Sequence, residues 1–212
     1  MQELLVATKN LKKLKEIEEL LCDFPVKITS IKDYPALPDV VEDGKTFRSN
    51  AIKKALTISR LTGKLVMGED SGLEVYVLDN TPGVYSARFA ASDELRGRNL
   101  ISTNTTDEAN NSKLLRLLSG YSLYEREARY RCLVALAQGE NLIGVVSGTC
   151  RGFIAERAEG QNGFGYDPLF YVPEYKKTFG QLDPSIKAQI SHRARALQKF
   201  RTLIQKHLGN SQ

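Results

Sequence analysis

An apolar run at the N-terminus, Leu4-Leu5-Val6-Ala7, gives way within a few residues to a helical period, and few folds accommodate that junction. Residues 3–8 are too few for a buried helix and read as a short buried strand. Residues 10–22 read as a helix, with Leu11, Leu14, Ile17 and Leu21 on one face. A strand that feeds directly into a helix suits an open α/β sheet. Ligands of such sheets bind beyond the carboxyl ends of the strands, where helix N-termini present N–H groups.

The rest of the chain keeps both periods without strict alternation. Val26 to Ile31 reads as a strand. Residues 32–45 read as a loop, with Pro35, Pro38, Gly44 and the acids Asp33, Asp39, Glu42 and Asp43. A helix is expected from Thr46 to Thr62, stopped by Gly63. Leu65 to Met67 reads as a strand, Glu69-Asp70-Ser71-Gly72 as a turn, Leu73 to Leu78 as strand again, and Asp79 to Gly83 as a second turn. Asp107 to Ser119 reads as a helix ended by Gly120. Ala128 to Ala137 and Leu142 to Cys150 are β-type runs suited to an antiparallel pair, and residues 160–168 form a Gly-rich loop. From Asp183-Pro184 onward the chain reads as helical, with Asp183 as N-cap and Ser191 as cap of a second helix. The expectation is an α/β protein, one domain over residues 1–212, with a mixed, elongated central sheet flanked by helices.

Composition narrows the setting. No apolar run reaches the length of a membrane span. The N-terminus lacks the basic and apolar regions of a secretion signal, so a cytoplasmic location is expected. Cys22, Cys132 and Cys150 are too far apart for a disulfide framework or a zinc site and read as buried free thiols. The net charge of +5 suits a nucleic acid or an anionic small molecule equally well.

Five local constellations carry possible chemistry. Thr8-Lys9-Asn10-Leu11-Lys12-Lys13 places three lysines at a helix start, where the dipole disfavours cations. An anionic ligand resolves that conflict, and a solvated helix start capped by Asn10 is the equal alternative. Lys54 falls in the stripe Phe47, Ala51, Lys54, Ile58 and Leu61, where a buried ammonium needs an anionic partner; snorkelling from the stripe's edge is the alternative. Glu42, Glu69 and Asp70 supply oxygen ligands for a hard cation or form an ordinary acidic turn. Gly163-Phe164-Gly165-Tyr166-Asp167-Pro168 offers ring faces for a purine and an acceptor for its edge; a plain hairpin turn has the same composition. Lys187 with Ser191-His192-Arg193 forms a ligand-binding group or the basic face of a terminal helix.

Taken in this order, the five pieces resemble the inosine triphosphate pyrophosphatase family, the non-canonical purine nucleoside triphosphate pyrophosphatases, over nearly the whole chain. The stretches that carry the resemblance are Thr8 to Lys13, Glu42 to Ala55, Glu69 to Ser86, Phe164 to Pro173 and Lys187 to Arg193. The resemblance implies two lobes with a cleft between them, a homodimer, Mg²⁺ as cofactor, and hydrolysis of ITP, dITP and XTP to the monophosphate and pyrophosphate. It implies that Thr8, Lys9, Asn10, Leu11, Lys12 and Lys13 cradle the triphosphate and that Lys54 contacts it. Glu42 and Asp70 would serve the metal, with Glu69 a further candidate, and Asp70 would also act as base. Ser71 would help place the substrate. Phe164, Gly165, Tyr166 and Asp167 would hold the base, with Lys187, His192 and Arg193 reading its 6-oxo edge or the adjoining phosphate. The chain departs from the family at Lys9 and Lys12, where Gly is frequent, at Glu69, where many members have Asp, and at Asp79-Asn80-Thr81, which replaces a more glycine-rich turn. A pyrophosphatase for pyrimidine or modified nucleotides is the alternative enzyme, and a non-catalytic nucleotide or nucleic-acid binder the alternative of another class.

Overall fold

The computed structural model describes residues 2–91 and 104–209. Most of the polar stretch 92–112, to which the sequence assigns no motif, lies outside the described residues. The strands are β1 (Gln2–Val6), β2 (Val26–Ser30), β3 (Leu65–Val75), β4 (Thr81–Pro82), β5 (Glu127–Gln138), β6 (Asn141–Ile154), β7 (Phe170–Val172) and β8 (Lys177–Thr178). They lie in the order β2-β1-β3-β5-β6-β7-β8, with β4 paired to β3. β1 runs parallel to β2 and β3, whereas β4, β7 and β8 pair antiparallel with β3, β6 and β7. The described α-helices are α1 (Leu11–Leu20), α2 (Phe47–Thr62), α3 (Asp107–Leu117), α4 (Pro184–Ile190) and α5 (His192–Gly209). The mixed α/β class read from the sequence is the class observed.

The chain divides into two compact units. One comprises Met1–Asp70, Cys132–Thr149 and Ser191–Gln212, and the other Ser71–Arg131 and Cys150–Ile190. In the first unit β1 is buried on both faces, as expected of a parallel strand. Leu4 and Val6 join a cluster with Ile17 of α1, Leu21 just after it, and Leu197, Phe200 and Ile204 of α5. Leu5 and Ala7 join a second cluster with Ile31, Ile58 of α2 and Val66. β3 repeats the division: Leu65 and Met67 enter the first cluster and Val66 the second. Gly68 lies on the α2 face, where a Cβ would overlap the Ala51 carbonyl and the Ala55 amide. Glycine here permits close contact between the helix and the strand backbone.

The second unit is built on an aromatic core. Phe170 of β7 lies 4.7 Å from Tyr130 of β5 and 5.1 Å from Phe179, centroid to centroid. Leu73, Val75, Phe89 and Leu114 surround this group, and Tyr166 packs into the same cluster.

Helix ends follow the sequence closely. Asn10 and Thr46 cap α1 and α2 by accepting from Lys13 N and Ser49 N. Gly63 ends α2 in the left-handed conformation, φ 67°. Asp183 accepts from Ser185 N, and Ser191 accepts from Ala194 N to start α5.

Several expectations are corrected. Glu69-Asp70-Ser71-Gly72 is not a turn, because β3 runs unbroken from Leu65 to Val75. Its acids find cations and amides inside the fold, which removes the cost of burying them in a strand. Tyr76–Leu78 is a 3₁₀ turn rather than strand, and Ile31 opens another 3₁₀ turn after β2. Leu11 and Leu61, assigned to apolar stripes, lie in the first and last turns of their helices and are 60% and 58% exposed. Cys22 is exposed, and only Cys132 and Cys150 are buried thiols.

Glu3 on β1 accepts from Lys64 Nζ, Tyr34 OH and Thr29 Oγ1. These donors, Lys64 foremost, lower its pKa from 4.5 to about 2. A carboxylate with a depressed folded-state pKa stabilises the fold fully above the unfolded value and loses that contribution as pH falls through the folded value. Urea unfolding of wild type and Glu3→Gln should therefore show stabilities that differ at neutral pH and converge between pH 4.5 and about 2. A gap unchanged by acid would remove Glu3 as the titrating group.

Candidate active site

Two adjacent acids in β3 organise the first unit. Successive side chains of a strand point to opposite faces. Glu69 therefore shares the face of Leu65 and Met67, towards α1 and α5, and Asp70 shares the face of Val66 and Gly68, towards α2.

On the α2 face, Asp70 is buried. Asn50 Nδ2 donates to Asp70 Oδ2 at 2.9 Å. Lys54 Nζ, one helical turn along α2, lies 3.9 Å from Asp70 Oδ1 and 3.1 Å from Glu42 Oε1. Gly44 N donates to Asn50 Oδ1 at 2.8 Å, so Asn50 joins the loop after Glu42 to the Asp70 carboxylate. Burial raises the Asp70 pKa to about 6, with the Glu42 charge adding to the rise and Lys54, Lys13 and Asn50 opposing it. A carboxylate tuned towards neutrality in a polar, water-poor setting has the character of a general base. Lys54 occupies the central position in its stripe that the spacing predicts, while Lys53 turns outward to Asp43.

On the other face, Glu69 is buried and paired with two cations. Lys13 Nζ lies 2.9 Å from Glu69 Oε2, and Arg193 Nη2 lies 3.2 Å from Glu69 Oε1. Cys132 donates to the same oxygen at 3.3 Å. Glu16 of α1 pairs with the other arm of Arg193, which is 1% exposed. Burial pulls the Arg193 pKa down, but Glu69 and Glu16 outweigh it and leave the guanidinium more firmly charged. Burial likewise pulls the Lys13 pKa down, and Glu69 and Asp70 reverse the effect.

The strand–helix junction supplies the remaining first-unit candidates. Thr8 Oγ1 accepts from Asn10 N, and Ser30 Oγ donates to Thr8 O. Lys9 reaches Asp39 at the surface. Leu11 and Lys12 are exposed in the first turn of α1, where helix N–H groups project along the axis. His192, the first residue of α5, is buried.

The second unit holds the glycine-rich loop. Gly163 and Gly165 are left-handed, φ 79° and 65°. Asp167 Oδ2 accepts from Phe164 N at 2.8 Å and from Lys187 Nζ at 2.6 Å, which fastens the loop to α4. The Lys187 ammonium also stands 4.9 Å from the Phe164 ring centre, within cation–π range. Tyr166 is buried in the aromatic core, and its hydroxyl donates to Ser86 O at 2.8 Å. Its ring therefore supports the loop from below, and the half-buried Phe164 is the ring nearer the surface. Ser71 continues β3 into this unit.

A family model described as the Ham1 family matches residues 4–203. This chain belongs to the Ham1 family. It is 48% identical over 197 residues to a dITP/XTP pyrophosphatase of Desulforamulus reducens, covering 93% of this chain and 92% of that protein. A dITP/XTP pyrophosphatase of Bacillus anthracis is 44% identical over 202 residues, covering 94% and 95%. A solved Ham1 protein from Coxiella burnetii superposes with a TM-score of 0.84 at 36% identity, over 97% of this chain and 100% of that one. The names of the two relatives agree with the family that the ordered motifs resemble.

Sequence reasoning overlooks two residues in the first unit of this Ham1 chain. Asn50 precedes Lys54 by one turn on the stripe facing β3, and a polar side chain at that position is a signal of the same kind as Lys54. Glu16 carries no such signal, because its partner Arg193 lies 177 residues away. Replacing Glu69 by Gln would leave Lys13 and Arg193 without their shared counter-charge. The expected loss is about 3–5 kcal/mol, read by denaturant unfolding; a change below about 1 kcal/mol would make this network energetically equivalent to a surface pair.

Proposed function

We propose that this chain hydrolyses the non-canonical purine nucleotides ITP, dITP and XTP to the monophosphate and pyrophosphate, cleansing the nucleotide pool. The observation that carries the reading is the buried Asp70 beside Lys54 and Glu42, in a chain whose relatives are named dITP/XTP pyrophosphatases.

The donor set fits Mg²⁺. Glu42 and Asp70 are hard oxygen donors converging on one ammonium. Mg²⁺ typically takes one or two carboxylates and fills its sphere with water and phosphate oxygens. Among the described residues no group of three or more His, Cys, Asp or Glu is assembled for an all-protein cage. Glu69 fits less well, since Lys13 and Arg193 already neutralise it. Glu42 and Asp70 would hold the ion, which would supply charge neutralisation at the phosphates.

The chain's own groups account for the rest of the reaction. Asp70 orients a water and takes its proton as oxygen attacks the α-phosphorus, breaking the bond to the departing pyrophosphate. Lys54, Lys12 and the N–H groups at the start of α1 stabilise charge on the phosphate oxygens, with Thr8, Lys9 and Asn10 shaping that turn. Ser71 helps place the substrate. Phe164 and Gly165 hold the base, fixed by Tyr166 and Asp167. A 6-oxo purine accepts a hydrogen bond where adenine donates one, so the donors Lys187, His192 and Arg193 favour it. The reading includes a cytoplasmic homodimer. No described helix is long and apolar enough to cross a membrane.

The decisive assay measures pyrophosphate release from ITP, dITP, XTP, GTP and ATP, each with and without Mg²⁺. Metal-dependent release from the first three, far above GTP and ATP, is the expected result. Equal release from all five would end the base-selectivity argument, and release only from pyrimidine or modified nucleotides would transfer the chain to the alternative enzyme. Asp70→Asn should lower turnover by about 10²- to 10⁴-fold while keeping a native circular dichroism spectrum; full activity in that variant would exclude Asp70 as base.

A further inference from the structure

The glycine-rich loop is held from outside by a helix to which neither the motifs nor the relatives assign a role. Asp107 and Asn111 stand one turn apart at the start of α3, on one face. Asp107 Oδ2 accepts from Gly165 N at 2.9 Å, and Asn111 Nδ2 donates to Gly165 O at 3.1 Å. One residue of the loop thus has both its backbone groups gripped by two side chains of a single helix. Gly165 sits in the left-handed conformation between Phe164 and Tyr166, so its peptide orientation sets where the Phe164 ring projects.

The same helix is anchored on its other contacts. Lys113 Nζ donates to Phe89 O at 2.8 Å, and Asn110 Oδ1 accepts from Ala90 N at 2.8 Å. Tyr166 reaches Ser86 O in the same 3₁₀ segment, Gly83–Ala91. The loop, α3 and this segment therefore form one closed circuit of hydrogen bonds. Inside the loop, Asp167 fixes Phe164 N, which leaves the Gly165 peptide groups to the α3 clamp.

We propose that Asp107 and Asn111 are positioning residues that set the base-holding conformation of the Phe164–Asp167 loop, and so help determine which purine the protein accepts. This rests on the reading of that loop as the base site. Neither residue is placed in contact with substrate.

Two isosteric exchanges test the clamp against a purely helical role. Asp107→Asn keeps an acceptor for Gly165 N, whereas Asn111→Asp replaces the donor to Gly165 O with an acceptor. The clamp predicts a near-normal KM for XTP and dITP in Asp107→Asn. In Asn111→Asp and Asp107→Ala it predicts a KM raised about 3- to 10-fold, with a smaller preference for XTP over GTP. A role confined to α3 stability predicts the reverse order, because negative charge near a helix N-terminus is favourable. Inhibition by tripolyphosphate, which has no base, should be unchanged in every variant. Unaltered KM and selectivity in folded Asn111→Asp, or a parallel loss of tripolyphosphate affinity, would overturn the proposal. Hydrogen exchange of the Gly165 amide separates this from failure of the functional reading. It should accelerate in Asp107→Ala and return to normal in Asp107→Asn whatever the substrate is; unchanged exchange in Asp107→Ala would overturn the clamp itself. Absence of hydrolysis in wild type, with the exchange pattern as expected, would reject the functional reading and its selectivity corollary but leave the clamp standing.

Discussion

The two-residue period of β3 is the constraint on which the first unit depends. Glu69 and Asp70 are neighbours in sequence, and a strand sends neighbours to opposite faces. Each acid must then be satisfied by a different set of partners. Glu69 takes Lys13 from α1 and Arg193 from α5, while Asp70 takes Asn50 and Lys54 from α2. Three helices are thereby tied to one strand by charge and hydrogen bonding as well as by apolar packing. An isolated buried carboxylate would cost far more than the fold could sustain.

This arrangement divides labour between two chemically identical types of group. Glu69 is saturated, fixed by two cations and a thiol, and serves as a hub for helices. Asp70 accepts from the Asn50 amide and lies 3.9 Å from the Lys54 ammonium, and its burial raises its pKa. The first is suited to structure and the second to proton transfer. The extra methylene of Glu69 fits this division, because its carboxylate reaches between α1 and α5 rather than staying near the strand backbone.

The second unit solves a different problem. A loop with two left-handed glycines has little intrinsic conformational preference. Its geometry comes from tethers at successive residues: Asp167 on Phe164, α3 on Gly165, and the Tyr166 hydroxyl on Ser86. Two of these tethers use Asp167 and Tyr166, which a local reading offers to a ligand. That is why Tyr166 and Asp167 act as supports in the structure, leaving Phe164 nearest the surface.

The sequence by itself determined what depends on near neighbours. The helix caps at Asn10, Asp183 and Ser191, the stop at Gly63, the mixed α/β class and the central place of Lys54 in its stripe all follow from spacings of a few residues. The ordered motifs were enough to point to the family. Tertiary structure decided what depends on distant partners. The residues 69–72 carry a strong turn signature, and only cations from α1, α2 and α5 make an unbroken strand there affordable. Glu16 with Arg193, Asn50 with Asp70, and Asp107 and Asn111 with Gly165 are separated by between 20 and 177 residues. No local period encodes such pairs, because the energy that selects them exists only once the sheet has brought their elements together.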